Sequence, residues 1–305
     1  MRRWIVRPGD GRTVRDVLAK AGADAGALRD GRVFLGRRRL RRDSEAVRAG
    51  DVIEIAPPRD VSAKVRVLLK TEDIVAVDKP ADVPTIPDLT GAAHALVAIV
   101  ATALGIDASR LHPTSRLDRD VSGVVVFALT KEAAERLARA RVKGAYDRRY
   151  MAIASRAPEP ALGQWDGPIG RSKTPRLREV DGREAVPATT RYAVCARSPG
   201  GPAMLAVAPV TGRTHQIRVH ASHAGAPLVG DRAYGGPGRL ILPGGHVIEP
   251  RRIALHAARV IVPDARGAAI VAIAPVPDEL IALWSALGGD PSAWQLCASC
   301  EFALP

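Results

Sequence analysis

Short apolar runs bounded by turn residues recur along most of the chain after residue 64, and they restrict the folds open to it. Eight of these runs are typical of strands and lie at residues 65–69, 74–77, 123–129, 149–154, 191–195, 204–208, 259–262 and 268–272. Helical patterns follow residue 64 at 92–104, 131–142 and 214–224. Because most of the strands are not separated by helices, we expect an α+β fold with a mixed, largely antiparallel sheet flanked by helices, in place of a doubly wound fold.

The first sixty residues show the pattern of a separate small unit. Apolar residues spaced by three or four predict a helix over 14–28, and short apolar runs predict strands at 33–35 and 52–55. Two consecutive prolines, Pro57 and Pro58, close the unit. We therefore divide the 305 residues into a small α/β domain over 1–60, a larger domain over 64–287 and a C-terminal tail over 288–305.

The chain is strongly basic, which favours a polyanionic partner. It has 45 Lys and Arg residues against 32 Asp and Glu residues, a formal charge of +13. A general bias toward arginine explains this composition equally well, so the placement of the charge has to decide. Residues 1–60 carry 15 basic and 9 acidic residues, about half of the net charge.

Five arginines of the N-terminal domain form what we call the basic cluster. Its members are Arg37, Arg38, Arg39, Arg41 and Arg42. A solvated charged loop is the alternative interpretation, but a block of like charge repels itself without an anionic partner. We predict that the basic cluster contacts the phosphates of a nucleic acid.

Several classes of function lack their motifs in this sequence. It contains no GxxxxGKS/T phosphate loop, no GxGxxG and no HExxH. The single CxxC, Cys297 to Cys300, has no second pair of ligands at zinc-site spacing, so we predict no metal site and two ordinary thiols in an exposed tail. Three cysteines and no apolar run long enough to cross a bilayer predict a cytoplasmic protein without membrane contact.

Two segments concentrate polar residues beside apolar ones. Residues 112–123 place two arginines and two aspartates directly before a strongly apolar strand, where each charge requires a partner. Residues 211–220 hold two arginines and two histidines, and an arginine on a rigid helix can hold a carboxylate through two N–H groups. His215 and His220 point apart on such a helix, so we expect hydrogen-bonded histidines and not metal ligands. For the first segment, a salt-bridged turn is the alternative.

At these residues the chain resembles the RluA family of pseudouridine synthases. The family's HRLDxxTSG loop is similar to residues 115–123, with Ser115 for the histidine and Val121 for the threonine, and its RxHQIRxH motif matches residues 213–220. Its KxYxA motif is similar to residues 148–152, and its NKPxG motif to residues 78–82 with Asp82 in place of glycine. The resemblance covers most of residues 64–287. The N-terminal pattern resembles the RNA-binding domain named after ribosomal protein S-four.

The resemblance implies a cofactor-free isomerisation of uridine to pseudouridine within RNA. It assigns Asp118 as the nucleophile, Arg218 as its ion-pair partner and Tyr150 as the residue that stacks on or deprotonates the base. Addition of Asp118 to the sugar, addition to the uracil ring and assistance in removing a sugar proton all remain open. The remaining predicted RNA-binding residues are Arg116, Leu117, Arg213, His215 and Gln216. We expect a monomer acting on RNA, ribosomal in preference to transfer RNA.

Two rival functions follow from the same residues. A non-catalytic RNA-binding assembly factor on this fold would leave Asp118, Tyr150 and Arg218 idle. A hydrolase would use Asp118 and Asp120 as a carboxylate pair, but these residues lie among Arg116 and Arg119 in a pattern more typical of an ion-pair network than of an acid/base pair.

Overall fold

The computed structural model describes residues 2–23, 26–28, 32–36, 38–40, 42–55, 65–87, 94–174, 176–242 and 245–302. The chain divides into two compact units, one from residues 1–65 and 83–109 and the other from 66–82 and 110–305. Residues 83–109, which the sequence pattern places in the larger domain, thus group with the N-terminal residues.

The first unit contains a four-stranded antiparallel sheet and a short helix. Its strands are β1 (Arg2–Ile5), β2 (Val33–Leu35), β3 (Arg38–Arg39) and β4 (Val52–Ile55), in the order β1-β4-β2-β3. Helix α1 (Val14–Lys20) begins at a capping box, in which the side chains of Thr13 and Asp16 each accept a bond from the other's backbone N–H.

Helix α1 ends well before residue 28, so the predicted length of this helix is wrong. Gly22 takes a left-handed conformation with φ +60°, and the N–H of Ala23 bonds back to the carbonyl of Leu18. This six-to-one bond is the usual way to stop a helix at a glycine. Beyond it, residues 26–28 keep the apolar spacing of a helix in sequence but form a turn.

The predicted basic cluster lies around the β2–β3 hairpin, which pairs Leu35 with Arg38. Arg38 and Arg42 are exposed, and Arg38 is paired at 2.5 Å with Glu45. Arg37, Arg41 and the side chain of Arg39 lie outside the described residues. Part of the local positive charge is therefore already balanced within the hairpin region.

The first unit also includes helix α2 (Leu96–Leu104), which ends at the left-handed Gly105. The sequence predicts this helix from residue 92. Ala95 instead caps it in an extended conformation, and the N–H of Leu96 bonds to the carbonyl of Pro84. Residues 92 and 93 lie outside the described residues.

The second unit is built on one large mixed sheet with smaller sheets beside it. Its strands in chain order are β5 (Arg66–Lys70), β6 (Ile74–Lys79), β7 (His112–Pro113), β8 (Ser122–Ala128), β9 (Asp147–Ala154), β10 (Leu162–Asp166), β11 (Ile169–Arg171), β12 (Arg178–Val180), β13 (Arg183–Val186), β14 (Thr189–Arg197), β15 (Ala203–Pro209), β16 (Leu240–Ile241), β17 (Val247–Ile248), β18 (Leu255–Pro263) and β19 (Ala269–Ile273). Its helices are α3 (Lys131–Val142), α4 (Gln216–His223), α5 (Asp278–Ala286) and α6 (Ala293–Ser299).

The large sheet has the order β10-β14-β15-β9-β18-β8-β6-β5, with β19 beside β18 and β7 beside β8. Within the described residues, β18 and β8 form its parallel pair, and the other neighbours are antiparallel. The predicted α+β class and largely antiparallel sheet are confirmed. Strands β11, β12 and β13 form a separate sheet, as do β16 and β17.

Gly123 is required where β8 meets β18. It has φ +114°, and a Cβ atom at this position would lie 2.2 Å from the carbonyl oxygen of Ala257. Any side chain here would push the two strands apart and would also strain the backbone. The glycine therefore makes the parallel pairing possible.

Two apolar clusters cover the large sheet. Helix α3 begins at Thr130, whose side chain accepts the N–H of Ala133, and it packs Leu137 into a cluster with β6, β8 and β18. The burial of Leu137, which is 1% exposed, stabilises the fold by roughly 2 kcal/mol. A second cluster joins β9 and β15 to helices α5 and α6 through Trp284 and Trp294.

The C-terminal stretch differs from the exposed tail that the sequence predicts. Its helix α6 buries Trp294 and Cys297, three residues apart on one face, in the second cluster. Cys297 is only 6% exposed. In the part of the chain that the structure describes, no helix is both long and apolar enough to cross a bilayer.

Candidate active site

Asp118 lies in the loop that enters β8 from β7. The N–H of Thr114 bonds to the carbonyl of Val126 at the start of this loop, and the N–H of Val121 bonds to the carbonyl of Asp118 near its end. Val121 is buried, whereas the Asp118 side chain is 23% exposed. The loop thus holds a half-buried carboxylate beside the buried β8.

Arg218 on α4 joins Asp118 to a second carboxylate. Its Nη1 donates to Asp118 Oδ2 at 2.8 Å, and its Nε and Nη2 donate to the two oxygens of Asp231 at 2.7 and 2.8 Å. The side chains of Arg218 and Asp231 are 8% and 1% exposed. The predicted pairing of Arg218 with Asp118 is present in the structure, and Asp231 fixes the guanidinium in plane through a two-point contact.

The charge of Arg218 is stable in this environment. Burial by itself lowers the pKa of the guanidinium, but the hydrogen bonds and negative charges of Asp231 and Asp118 outweigh it, and the pKa is raised. Arg218 also lies over the ring of Tyr234, with its Cζ 4.8 Å from the ring centroid. Two carboxylates and one permanent cation give the group a net negative charge, and Asp118 is its more exposed end.

Tyr234 and His215 form a hydrogen-bond chain toward Asp118. The N–H of Arg178 donates to the Tyr234 hydroxyl at 3.0 Å, and this hydroxyl lies 2.7 Å from His215 Nδ1. The backbone amide can only donate, so the hydroxyl accepts from it and can still either donate to Nδ1 or accept from it. His215 Nε2 lies 4.0 Å from Asp118 Oδ1.

Burial lowers the pKa of His215, and the charge of Asp118 opposes this effect without cancelling it. The imidazole is therefore neutral at pH 7, and its Nε2 is the ring nitrogen nearest to Oδ1 of Asp118. His215 itself has a left-handed backbone with φ +59° directly before α4. The helix begins at Gln216 and not at the predicted residue 214, because His215 is not helical.

Lys79 anchors the loop that carries Asp118. It is fully buried, and its Nζ donates to the carbonyls of Pro80 and Arg119 at 2.9 and 3.0 Å. Burial, with the charge of Arg252 as the second cause, lowers the pKa of Lys79 to about 7. Lys79 holds the loop mainly by backbone hydrogen bonds.

Asp120 has different surroundings from Asp118. Burial raises its pKa, and the negative charge of Asp82 and a hydrogen bond to that side chain raise it further. Asp82 also accepts, through its carbonyl, a bond from Nε of Arg119. Asp118 is thus paired with a cation and Asp120 with another carboxyl group, which does not favour the hydrolase interpretation in which the two act together.

Tyr150 lies on β9 at a buried position and is 8% exposed. Burial raises the pKa of its phenol, while the charge of Arg148 opposes this and that of Asp118 adds to it. The phenol is protonated at neutral pH, so it offers a ring face and an O–H group. This state favours stacking over a standing role as a base.

The five remaining predicted RNA contacts differ in exposure. Arg116 and Arg213 are exposed, His215 is half-buried, and Leu117 and Gln216 are buried. Gln216 uses its whole amide inside the protein: Oε1 accepts from Thr211 and from the N–H of Arg213, and Nε2 donates to Thr189 and Thr190. The RNA contact of Gln216 stays a prediction, and in the structure its amide fixes the turn before α4.

The histidines bond within the protein as predicted. His220 contacts the Thr190 hydroxyl at 2.9 Å and the carbonyl of Gly167 at 3.0 Å. Among the described residues, no group of three or more His, Cys, Asp or Glu side chains has the arrangement of a metal site.

Sequence reasoning missed Asp231, Tyr234 and Lys79 as parts of this network. Asp231 follows Gly230, and an Asp after Gly in a turn gave no sign that it would hold Arg218. Lys79 stood in a matched motif. For Asp231 and Lys79, the available sign of a role in the site was a charged side chain beside apolar sequence.

Known proteins are similar in sequence to the part of this chain that holds Asp118, Tyr150 and Arg218. A family model described as RNA pseudouridylate synthase matches residues 73–223, a range that includes Asp118, Tyr150 and Arg218. The ribosomal large subunit pseudouridine synthase D of Xanthomonas campestris is 36% identical over 283 residues, 87% of this chain and 82% of that protein. The dual-specificity RNA pseudouridine synthase RluA of Salmonella typhimurium is 33% identical over 58% of this chain and 80% of that protein.

Solved structures show the same fold. Human RNA pseudouridylate synthase domain containing 4 superposes with a TM-score of 0.59 at 23% identity, covering 72% of this chain and 92% of that one. Human RNA pseudouridylate synthase domain containing 1 gives a TM-score of 0.57 at 24% identity, over 73% and 87% of the two chains.

Proposed function

Because the chain belongs to the RluA family of RNA pseudouridine synthases, and is thus an isomerase, we propose that it converts uridine to pseudouridine in ribosomal RNA with Asp118 as the nucleophile. The observation that supports the role of Asp118 is its contact with Arg218, which is itself held by the buried Asp231. A carboxylate fixed in this way is oriented before the substrate arrives.

The reaction breaks the bond from ribose C1′ to N1 of uracil and forms a bond from C1′ to C5. The proton lost from C5 is balanced by a proton gained at N1, so no atom or electron is exchanged with another reactant. Whether Asp118 adds to the sugar or to the ring, it must be ionised and must present one oxygen. Oδ2 is bound to Arg218, which leaves Oδ1 as the attacking atom.

We assign Tyr150 to the face of the base and Arg218 to the orientation of Asp118. Tyr150 is a protonated phenol on a rigid central strand, so its ring can stack on uracil while the base turns. The target nucleotide must leave its stack to reach a half-buried Asp118. We assign the phosphates on either side of this nucleotide to Arg116 and Arg213, which are both exposed.

The basic cluster supplies affinity that does not depend on sequence. Each arginine that neutralises a phosphate contributes to the salt dependence of binding. Replacing Arg37, Arg38, Arg39, Arg41 and Arg42 with glutamine should lower the salt slope by about one for each phosphate that is no longer neutralised. A salt titration of RNA binding that is unchanged by these substitutions would remove this part of the proposal.

Ribosomal RNA is favoured over transfer RNA by the length of the similarity. The relative named for the large ribosomal subunit aligns with 87% of this chain, and the dual-specificity relative with 58%. The longer alignment extends beyond the range matched by the family model. RNA is often recognised by its shape, and the regions outside that range add surface for such contacts.

The test is release of tritium from RNA labelled at C5 of uridine, with ribosomal and transfer RNA assayed separately. We expect release from ribosomal RNA by the wild-type protein, none by Asp118→Asn and substantial release by Asp120→Asn. Release from transfer RNA alone would overturn the substrate assignment. Intact RNA binding without release from either RNA would instead support the non-catalytic assembly factor.

A further inference from the structure

The three cysteines of the chain come together, although one is remote from the other two in sequence. Cys195 lies on β14, Cys297 on α6 and Cys300 directly after α6. The sulfur atoms of Cys195 and Cys297 are 3.0 Å apart, across 102 residues of sequence. All three cysteines belong to the second apolar cluster, where Cys297 is buried and the other two are partly exposed.

The thiols interact directly with each other. Cys297 donates its S–H to Cys195, and this hydrogen bond is the main reason that the pKa of Cys195 is lowered, with a smaller contribution from Cys300. The same contact and burial raise the pKa of Cys297. Burial raises the pKa of Cys300 as well. Cys195 is therefore the thiol that most readily becomes a thiolate, and the thiolate is the form that reacts.

Two plainer explanations fit these observations less well. A metal site would need the three sulfur atoms to converge on one point, and the described residues contain no such arrangement. Simple apolar packing accounts for one buried cysteine. It does not account for an S–H···S contact between two segments, with a third thiol beside it.

We propose that Cys195 and Cys297 form a disulfide when the protein meets a peroxide, and that this bond fastens helix α6 to strand β14. The Cys195 thiolate attacks one peroxide oxygen, which gives a sulfenic acid and releases water after protonation. The Cys297 sulfur then attacks the Cys195 sulfur, forms the S–S bond and displaces the second oxygen as water. Two thiols and one hydrogen peroxide thus become one disulfide and two waters, with the peroxide as the two-electron oxidant.

The bond would change stability more than catalysis. Cys297 packs in the same cluster as Met151 of β9, whereas the adjacent Tyr150 points to the opposite face of the sheet. Closing a loop of about 100 residues restricts the unfolded chain strongly. Oxidation should therefore raise the melting temperature by roughly 5–10 °C and leave RNA isomerisation within about twofold of the reduced protein.

The experiment uses the full chain, reduced and then treated with hydrogen peroxide, blocked with iodoacetamide and digested for mass spectrometry. We expect a linked peptide pair containing Cys195 and Cys297, two mass units lighter than the reduced pair, and a higher melting temperature that falls again with reductant. Cys300→Ser should keep this link and Cys297→Ser should lose it. Cys297→Ala provides a second variant if the serine is not tolerated in the core.

Three outcomes would overturn the proposal. One is oxidation of Cys195 to sulfinic acid without any link, and another is a link from Cys195 to Cys300 in the wild-type protein. The third is stoichiometric zinc that shields all three thiols from alkylation until a chelator is added. None of these measurements depends on the proposed RNA substrate.

Discussion

The substitution Arg218→Lys tests whether geometry, beyond charge, is what Arg218 contributes. Arginine makes three charge-assisted bonds, one to Asp118 and two to Asp231. A lysine ammonium keeps the charge but cannot span both carboxylates with a planar group. It therefore loses at least one bond of this kind, and Asp231, which is 1% exposed, keeps a buried oxygen without its partner.

The size of the effect follows from these hydrogen bonds. A hydrogen bond to a charged group contributes about 1.5–3 kcal/mol, and leaving a buried acceptor unpaired costs about as much. If about 2–3 kcal/mol of this loss falls on the placement of Asp118, the rate decreases roughly 100-fold, since each 1.36 kcal/mol is a factor of ten. We expect the loss in kcat, because the ion pair orients Asp118 and does not itself extend to the RNA surface.

The assay is single-turnover tritium release from ribosomal RNA, compared with binding of the same RNA. Arg136→Lys is the matched control, because Arg136 forms a partly buried ion pair with Asp73 at 2.7 Å on helix α3 and lies outside the network of Arg218. The control should stay within about threefold of wild type. Wild-type turnover by Arg218→Lys, or an equal loss in both variants, would refute a role for bidentate geometry.

Three further changes have defined outcomes. Tyr234→Phe removes the hydroxyl that bonds His215, and tritium release should fall about 10-fold with RNA binding unchanged; unchanged release would exclude a role for this hydrogen bond. Burial lowers the pKa of His256 to about 4, below its unfolded value of about 6.5, so between these values the unfolded state binds more protons and the free energy of unfolding falls on acidification, by about 2 kcal/mol at pH 5. In urea unfolding at pH 7 and pH 5, the His256→Gln variant should lose less stability at the lower pH than the wild-type protein. An equal loss in both proteins would contradict this prediction. Gly123→Ala places a Cβ 2.2 Å from the Ala257 carbonyl and should cost about 3 kcal/mol or more, which a thermal melt of unchanged midpoint would disprove.

The sequence predicts the elements of the larger unit well where burial dominates. Strand β8 is buried along its whole length, so its continuous apolar run from 124 is visible without any partner. The sequence does not predict which strand pairs with β8. That β8 would lie parallel to β18, more than 100 residues later, depends on a glycine fitting against a distant backbone, which no local pattern records.

The same division holds for the candidate site. A carboxylate beside apolar sequence needs a cation, and the resemblance to the RluA family is what assigns Arg218 to Asp118. The local sequence does not identify Asp231, because an aspartate after a glycine also suits an ordinary turn. Cys195 lacked any local sign of its neighbours, since the contact to Cys297 arises only after α6 packs on the sheet.

The short parallel pairing of β8 with β18 limits the backbone connection between the two parts of the large sheet. It joins β8 to β18 through two residue pairs, His256 with Ser122 and Ala257 with Gly123, whereas the antiparallel pairing of β18 with β9 is much longer. The apolar cluster around Leu137 also spans β6, β8 and β18, so the two parts of the sheet are joined by this short backbone pairing and by side-chain packing. Asp118 lies in the loop before β8, and Tyr150 lies on β9 on the other side of this pairing.

Helix α4, which carries Arg218, contacts β14 and β15, so the ion pair of Arg218 with Asp118 links these strands to the loop before β8. The ion pair that orients Asp118 therefore also connects the two parts of the sheet, and a hinge motion between β8 and β18 would open the site by breaking this ion pair. The substitution Asp118→Asn removes this ion pair, so in hydrogen exchange the amides of β8 nearest β18 should exchange faster than in the wild-type protein.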